Sequence, residues 1–89
     1  MEQTFQNELF QSRIRELRKQ KHESQKDVAE ALGVTITQIS DMEKGRRTTT
    51  FEKLFLLCRH FQVSADYLLG LEDTPRFFQE EDTPGAHKS

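Results

Sequence analysis

The run S-Q-K-D-V-A-E-A-L-G-V-T-I-T-Q, residues 24–38, leaves this chain little conformational choice. Ser24 followed by Asp27 is a capping box: the hydroxyl takes a backbone N–H that a helix start leaves unpaired, and the acid reaches back to the cap's own N–H. Thr35 with Gln38 repeats the device. Between the two boxes Val28, Ala29 and Leu32 recur at helical spacing. Gly33 then stands where a helix commonly ends in a left-handed residue. Only Gly33 and Val34 separate Leu32 from the second cap, so the two helices must cross steeply. Ile39 and Met42 face inward from the second of them, and Gly45 closes it.

The rest of the chain reads as three more helices and no convincing strand. The first is capped by Asn7 or Thr4, carries Phe10, Ile14 and Leu17 on one face, and fades near Lys21–His22. A fourth begins at Thr49 or Thr50 and carries Phe51, Leu54, Leu57, Cys58 and Phe61. A fifth begins at Ser64, with Val63 and Leu68 placed as a hydrophobic staple, and stops at Gly70. The fold class is therefore all-α. We divide the chain into a five-helix domain over residues 1–70 and an acidic tail over 71–89. Thr74–Pro75 is a good helix start, so the spacing predicts a short sixth helix over 75–81, with disorder after Pro84.

At 89 residues one domain is the natural count, and a domain this small hides only about 60–65% of its unfolded surface. Its helices must pack closely or it must associate. A single cysteine excludes an internal disulfide framework and fits a reducing compartment. The start MEQTFQNELF lacks a basic region followed by an apolar run, and LFLLC at 54–58 is too short to span a bilayer. The expectation is a cytoplasmic protein without a membrane partner.

Charge is distributed in blocks beneath a net of −2. Residues 13–26 hold six basic and two acidic side chains, residues 27–43 four acidic and none basic, and residues 44–59 five basic and one acidic. Salt screens charges beyond roughly 8–10 Å, so a polyanion responds to such blocks more than to the total.

At RIRELRKQK (13–21), SQKDVAEALGVT (24–35), ISDMEKGRR (39–47) and FEKLFLLCRHFQVSADYLLG (51–70), the chain resembles the Cro/cI-like, or XRE-like, helix-turn-helix family of transcriptional regulators with a lambda-repressor-like DNA-binding domain. The resemblance runs from about Phe10 to Gly70. It implies a compact five-helix domain that binds double-stranded operator DNA through the major groove, usually as a homodimer, and needs no cofactor.

The resemblance also implies residue roles. Gln25, first in the second helix, matches a phosphate contact beside a helix N-terminus. Lys44, Arg46 and Arg47 match the loop that grips the DNA backbone. Arg18 and Glu43 match a partly buried ion pair between the first helix and the end of the third. Ile36, Thr37, Gln38 and Asp41 match positions facing base edges. Chemistry supports part of this: Gln38 suits adenine N6 and N7, and Ile36 or the Thr37 methyl suits a thymine methyl. Gln38, however, cannot fully serve its capping box and a base at once. Asp41 departs from the usual polar or basic residue; it either accepts from cytosine N4 or points to solvent. His22 replaces a frequent glycine and Glu23 a frequent apolar residue at the first bend, and Thr49 stands where proline is common.

An enzyme is not indicated. Cys58 and His60, two apart on a helix, point roughly 200° apart and cannot share a nucleophile–base contact or a metal. His22, His60 and His87 lack ligand spacing. Leu56, where the family more often has a polar residue, together with Tyr67, Leu71, Phe77 and Phe78, supplies apolar area for a homodimer interface. The alternative for Phe77 and Phe78 is folding back over their own domain. The reading is a small sequence-specific repressor binding a near-palindromic operator. Its rival is an antitoxin-like or adaptor protein that uses the same fold mainly to bind a protein partner.

Overall fold

The computed structural model describes Phe5, residues 7–46 and residues 49–75. These contain α1 (Asn7–Gln20), α2 (Gln25–Leu32), α3 (Ile36–Lys44), α4 (Phe51–Phe61) and α5 (Ala65–Leu69), and among the described residues there is no strand. Thr4 and the expected helix beyond Pro75 lie outside the described residues, as do Arg47, Phe77 and Phe78.

Asn7, an expected cap of the first helix, is instead the first residue of α1, and its side chain donates to Gly45 O; the caps of α2 to α5 fall where the side chains demand them. Ser24 Oγ accepts from Asp27 N at 3.0 Å, and Asp27 Oδ2 accepts from Ser24 N at 2.9 Å. That backbone N–H favours the ionised carboxyl and lowers Asp27 below its ordinary range. Thr35 and Gln38 form the second box, Thr50 caps α4, and Ser64 caps α5. Val63 and Leu68, the staple, are both fully buried.

A core shared by the five helices follows from their apolar faces. Phe10, Ile14 and Leu17 come from α1, Val28, Ala29 and Leu32 from α2, Ile39 and Met42 from α3, Leu57 and Phe61 from α4, and Leu68 from α5. Burying each large side chain contributes about 1.5–3 kcal/mol, which such a small domain needs to offset its ordering entropy. α1 packs on α3 and α5, α2 packs on α3 and α4, and α4 packs on α5.

Two apolar residues of α4 depart from expectation. Phe51 is 92% exposed rather than inward, and Leu56 is half-buried against the core rather than presented outward. At 100° per residue Phe51 lies roughly 90° from the middle of the Leu54–Leu57–Phe61 stripe, so a first-turn residue there clears the core. Phe55, one turn on, is 57% exposed, with the Arg59 guanidinium over its ring.

The bend between α1 and α2 explains two unusual residues. Glu23 Oε1 lies 2.7 Å from His60 Nε2, and Lys21 Nζ donates to His60 O at 3.2 Å, so the bend is tied to the last turn of α4. An apolar residue at 23 would lose that tie. His22 adopts a left-handed backbone, φ +59°. That conformation costs a non-glycine residue about 1–2 kcal/mol, partly offset by the greater unfolded-chain entropy glycine would bring. His22→Gly should therefore raise stability by roughly 0.5–1 kcal/mol, read as a higher urea midpoint with an unchanged slope.

Candidate nucleic-acid interface

The presentation of α3 begins at the turn before it. Gly33 adopts φ +73°, and Val34 N donates back to Ala29 O at 2.9 Å, so the chain leaves α2 and reaches the Thr35 cap in two residues. Ile39 and Met42 fix the inner side of α3 in the core, fully or nearly fully buried. The opposite side is thereby left to solvent: Ile36, Thr37, Gln38 and Lys44 are exposed, and Ser40 and Asp41 are half-buried. The expected base-facing residues thus share one surface, with Asp41 one turn beyond Thr37 on it.

Their side chains are not equally available. Gln38 Oε1 accepts from Thr35 N at 2.9 Å, so its oxygen is occupied by the cap while the amide N–H groups carry no part of it. Bidentate reading of adenine needs both ends of the amide. Ile36 is 47% exposed, a large apolar side chain at the start of a helix where burial in the core is not its role.

The far end of α3 is held by α1. Asn7 Nδ2 donates to Gly45 O at 3.2 Å and Arg15 Nη1 to Glu43 O at 3.2 Å, satisfying carbonyls that a helix C-terminus leaves unpaired. Gln11 lies under the cap: a Cβ on Gly45 would come within 2.3 Å of Gln11 Nε2, and φ is +75°. The positive φ is what calls for glycine here, since the Gln11 amide is the end of a flexible side chain that can move aside. Asn7, Gln11 and Arg15 were missed as a group by sequence reading, although their i, i+4, i+8 spacing marks a polar stripe beside the apolar one.

Arg18 and Glu43 meet as expected. Arg18 Nε lies 2.6 Å from Glu43 Oε2 and Nη2 lies 3.1 Å from Oε1, with side chains 13% and 3% exposed. The hydrogen bond to Glu43 raises the guanidinium above its already high ordinary value, so the cation persists at every accessible pH. Gln25 joins them, its Nε2 donating to Glu43 Oε1 at 3.1 Å. The residue expected at phosphate is therefore positioned from behind by the same carboxylate, and its amide retains a second N–H.

Basic residues flank the α3 C-terminus. Lys44 is exposed, and Arg46 is 66% exposed with its Nη1 3.6 Å from Asp41 Oδ1. The sequence reading treated these two residues separately; the structure pairs them.

The apolar candidates for an interface between copies are dispersed. Leu56 and Tyr67 both pack against the core. Arg13 covers the Tyr67 ring at 4.0 Å and donates to the carbonyls of Tyr67 and Glu72, so α1 clasps the end of α5. Leu71 is 69% exposed. Cys58 packs against the core, where burial pushes its thiol up to about 11, far from the thiolate a nucleophile requires.

A family model described as Helix-turn-helix matches residues 14–68. The uncharacterized HTH-type transcriptional regulator YobD of Bacillus subtilis (strain 168) is 33% identical over 67 residues, which is 75% of this chain and 60% of that protein. The chain spans about three fifths of the length of the curated relatives it matches. Among solved structures, the P22 c2 repressor in complex with a synthetic operator is 34% identical with a TM-score of 0.66, covering 68% of this chain and 92% of that one. The master regulator for biofilm formation SinR, in complex with DNA, is 30% identical with a TM-score of 0.63, covering 67% and 97%. A chain of the SinR–SinI complex is similar to the same degree, covering 67% and 59%. The all-α, five-helix lambda-repressor-like fold expected from the sequence is the fold these structures share.

Removing Glu43 alone would strand the Arg18 cation among packed helices. Glu43→Ala should cost about 3–5 kcal/mol, whereas Arg18→Met combined with Glu43→Leu should recover most of it, both measured by urea unfolding. A loss under about 1 kcal/mol for Glu43→Ala would mean the pair does not fix α3.

Proposed function

The chain belongs to the helix-turn-helix family, and from that premise we propose that it is a sequence-specific DNA-binding transcriptional regulator. It acts as a small dimeric repressor on a near-palindromic operator. The observation that carries this reading is the surface of α3. A helix anchored from behind by Ile39 and Met42 presents Ile36, Thr37 and Gln38 outward, with cationic Lys44 at its end. Those side chains suit base edges, and the cation suits a phosphate. Complexes of the similar c2 repressor with operator and of SinR with DNA support it.

Gln25, at the start of α2, lies beside a helix N-terminus that favours an anion. Its bond to Glu43 orients the amide. With Lys44 and Arg47 it supplies the sequence-independent part of the affinity. Ile36 and Thr37 supply the apolar contacts that distinguish thymine. Two copies would cover half-sites about 10 base pairs, or ~34 Å, apart. A DNA partner fits a cytoplasmic protein; among the described residues no helix is long and apolar enough to cross a membrane.

A second reading has one specific observation behind it. Phe51 and Phe55 expose two aromatic rings one turn apart on α4, an apolar ridge that DNA has no use for. A protein partner covering that ridge fits an adaptor or antitoxin-like role, and a SinR–SinI complex exists for one similar protein.

Selection from a randomised duplex pool at about physiological salt separates the two readings. The regulator reading expects enrichment of a two-fold-related sequence. Lys44→Ala should then weaken every duplex alike and reduce the salt slope by about one, whereas Thr37→Ala should alter which sequences are enriched. Enrichment of nothing by folded protein would favour the protein partner.

The proposed dimer interface includes Leu71, the candidate among the described residues that stands free of the core, with Phe77 and Phe78 beyond it in sequence. In size-exclusion with light scattering, Leu71→Lys should convert a dimer to a monomer with helix content unchanged. An intact dimer would move the interface elsewhere.

A further inference from the structure

We propose that Asp41 is a positioning residue for Arg46, and that together they give α3 the guanine-reading arginine its own sequence lacks. The inference rests on α3 being a recognition helix. A carboxylate on the surface that approaches a polyanion is otherwise unfavourable. Here its Oδ1 lies 3.6 Å from Arg46 Nη1, with the acid side chain 18% exposed and the guanidinium side chain 66% exposed. The anion is tucked back and the cation stands forward.

The backbone enforces this arrangement before the side chains do. Gly45 at φ +75° reverses the chain, and Arg46 N donates to Asp41 O at 2.9 Å. Arg46 is thus returned over the very turn that carries Asp41. Asn7 Nδ2, donating to Gly45 O at 3.2 Å, ties the reversal to α1. The ion pair extends a helix cap whose geometry is already set.

Charge and geometry then decide what Arg46 contacts. Attraction to phosphate scales with net charge, and the adjacent carboxylate offsets much of it. The planar fork of five N–H donors survives pairing with one oxygen, and the fork is what guanine O6 and N7 recognise. Asp41 lies one turn beyond Thr37 on the same stripe, so Arg46 extends the reading surface with a planar fork that Lys44, the long donor of α3 itself, lacks. In this arrangement Arg46 reads a base, and Lys44 and Gln25 remain at phosphate.

The test carries the full chain, Asp41→Asn, Asp41→Ala and Arg46→Ala through the same duplex selection. Each is then titrated against the enriched duplex and its single-pair replacements. The expected half-site holds one guanine whose replacement weakens the native protein by roughly 10-fold or more. Asp41→Asn and Arg46→Ala should both lose the preference at that pair and at no other, with thermal unfolding close to the native protein's. Asp41→Asn keeps the volume of the side chain, so a change in preference reports the lost charge pair and not repacking.

Two outcomes overturn the inference while leaving the DNA reading intact. One is Asp41→Ala binding all duplexes more tightly with every preference retained, which would make the acid merely repulsive. The other is Arg46→Ala weakening all duplexes equally and reducing the salt slope by about one, which would make the arginine a phosphate contact. No enrichment by the native protein would overturn both.

Discussion

One buried carboxylate holds this small domain in register. Glu43, 3% exposed, receives Arg18 from α1 and Gln25 from α2 at the last turn of α3. An apolar core alone tolerates small slides between helices, because dispersion and burial have no direction. A carboxylate with three N–H donors converging on its two oxygens does not tolerate them. Such pairs add little net stability over well-packed apolar residues, so what this one contributes is the orientation of α3 relative to α1 and α2. Everything on the exposed face of α3 inherits that orientation.

The same end of α3 is secured a second time through its backbone. Asn7 and Arg15 take the carbonyls of Gly45 and Glu43, and the left-handed turn at Gly45, φ +75°, ends the helix between them. α1 therefore has two jobs on adjacent stripes: Phe10, Ile14 and Leu17 build the core, and the polar residues beside them fasten the helix that is presented outward. Precision at a binding surface follows from such support, since a side chain is only as well placed as the backbone that carries it.

The near-neutral composition ceases to be a difficulty once charge is placed in space. Asp41 and Arg46 offset one another, Asp27 serves a cap, and Glu23 faces His60. Several acids that lower the net charge are thus turned inward or toward partners, while Lys44 and the Arg46 guanidinium remain accessible. Affinity for a polyanion depends on the cations it meets, and specificity on the side chains between them.

The sequence by itself determined the helices, the caps of α2 to α5 and the tight α2–α3 turn. Capping boxes at Ser24 and Thr35, glycines at 33, 45 and 70, and apolar residues at helical spacing act over three or four residues, and such local chemistry is legible in a linear text. The Arg18–Glu43 pair was also anticipated, through family resemblance. Tertiary structure alone decided which near-equivalent neighbours face in. Leu56 turned to the core and Phe51 to solvent, because α4 can rotate a fraction of a turn without changing its pattern, and packing against α2 and α5 chooses the angle. It also decided the meetings across long sequence separations: Glu23 with His60, Arg13 with Tyr67, Gln25 with Glu43 and the α1 polar stripe with Gly45. Those contacts join residues whose individual propensities say nothing of one another, so only the packed chain brings them into range.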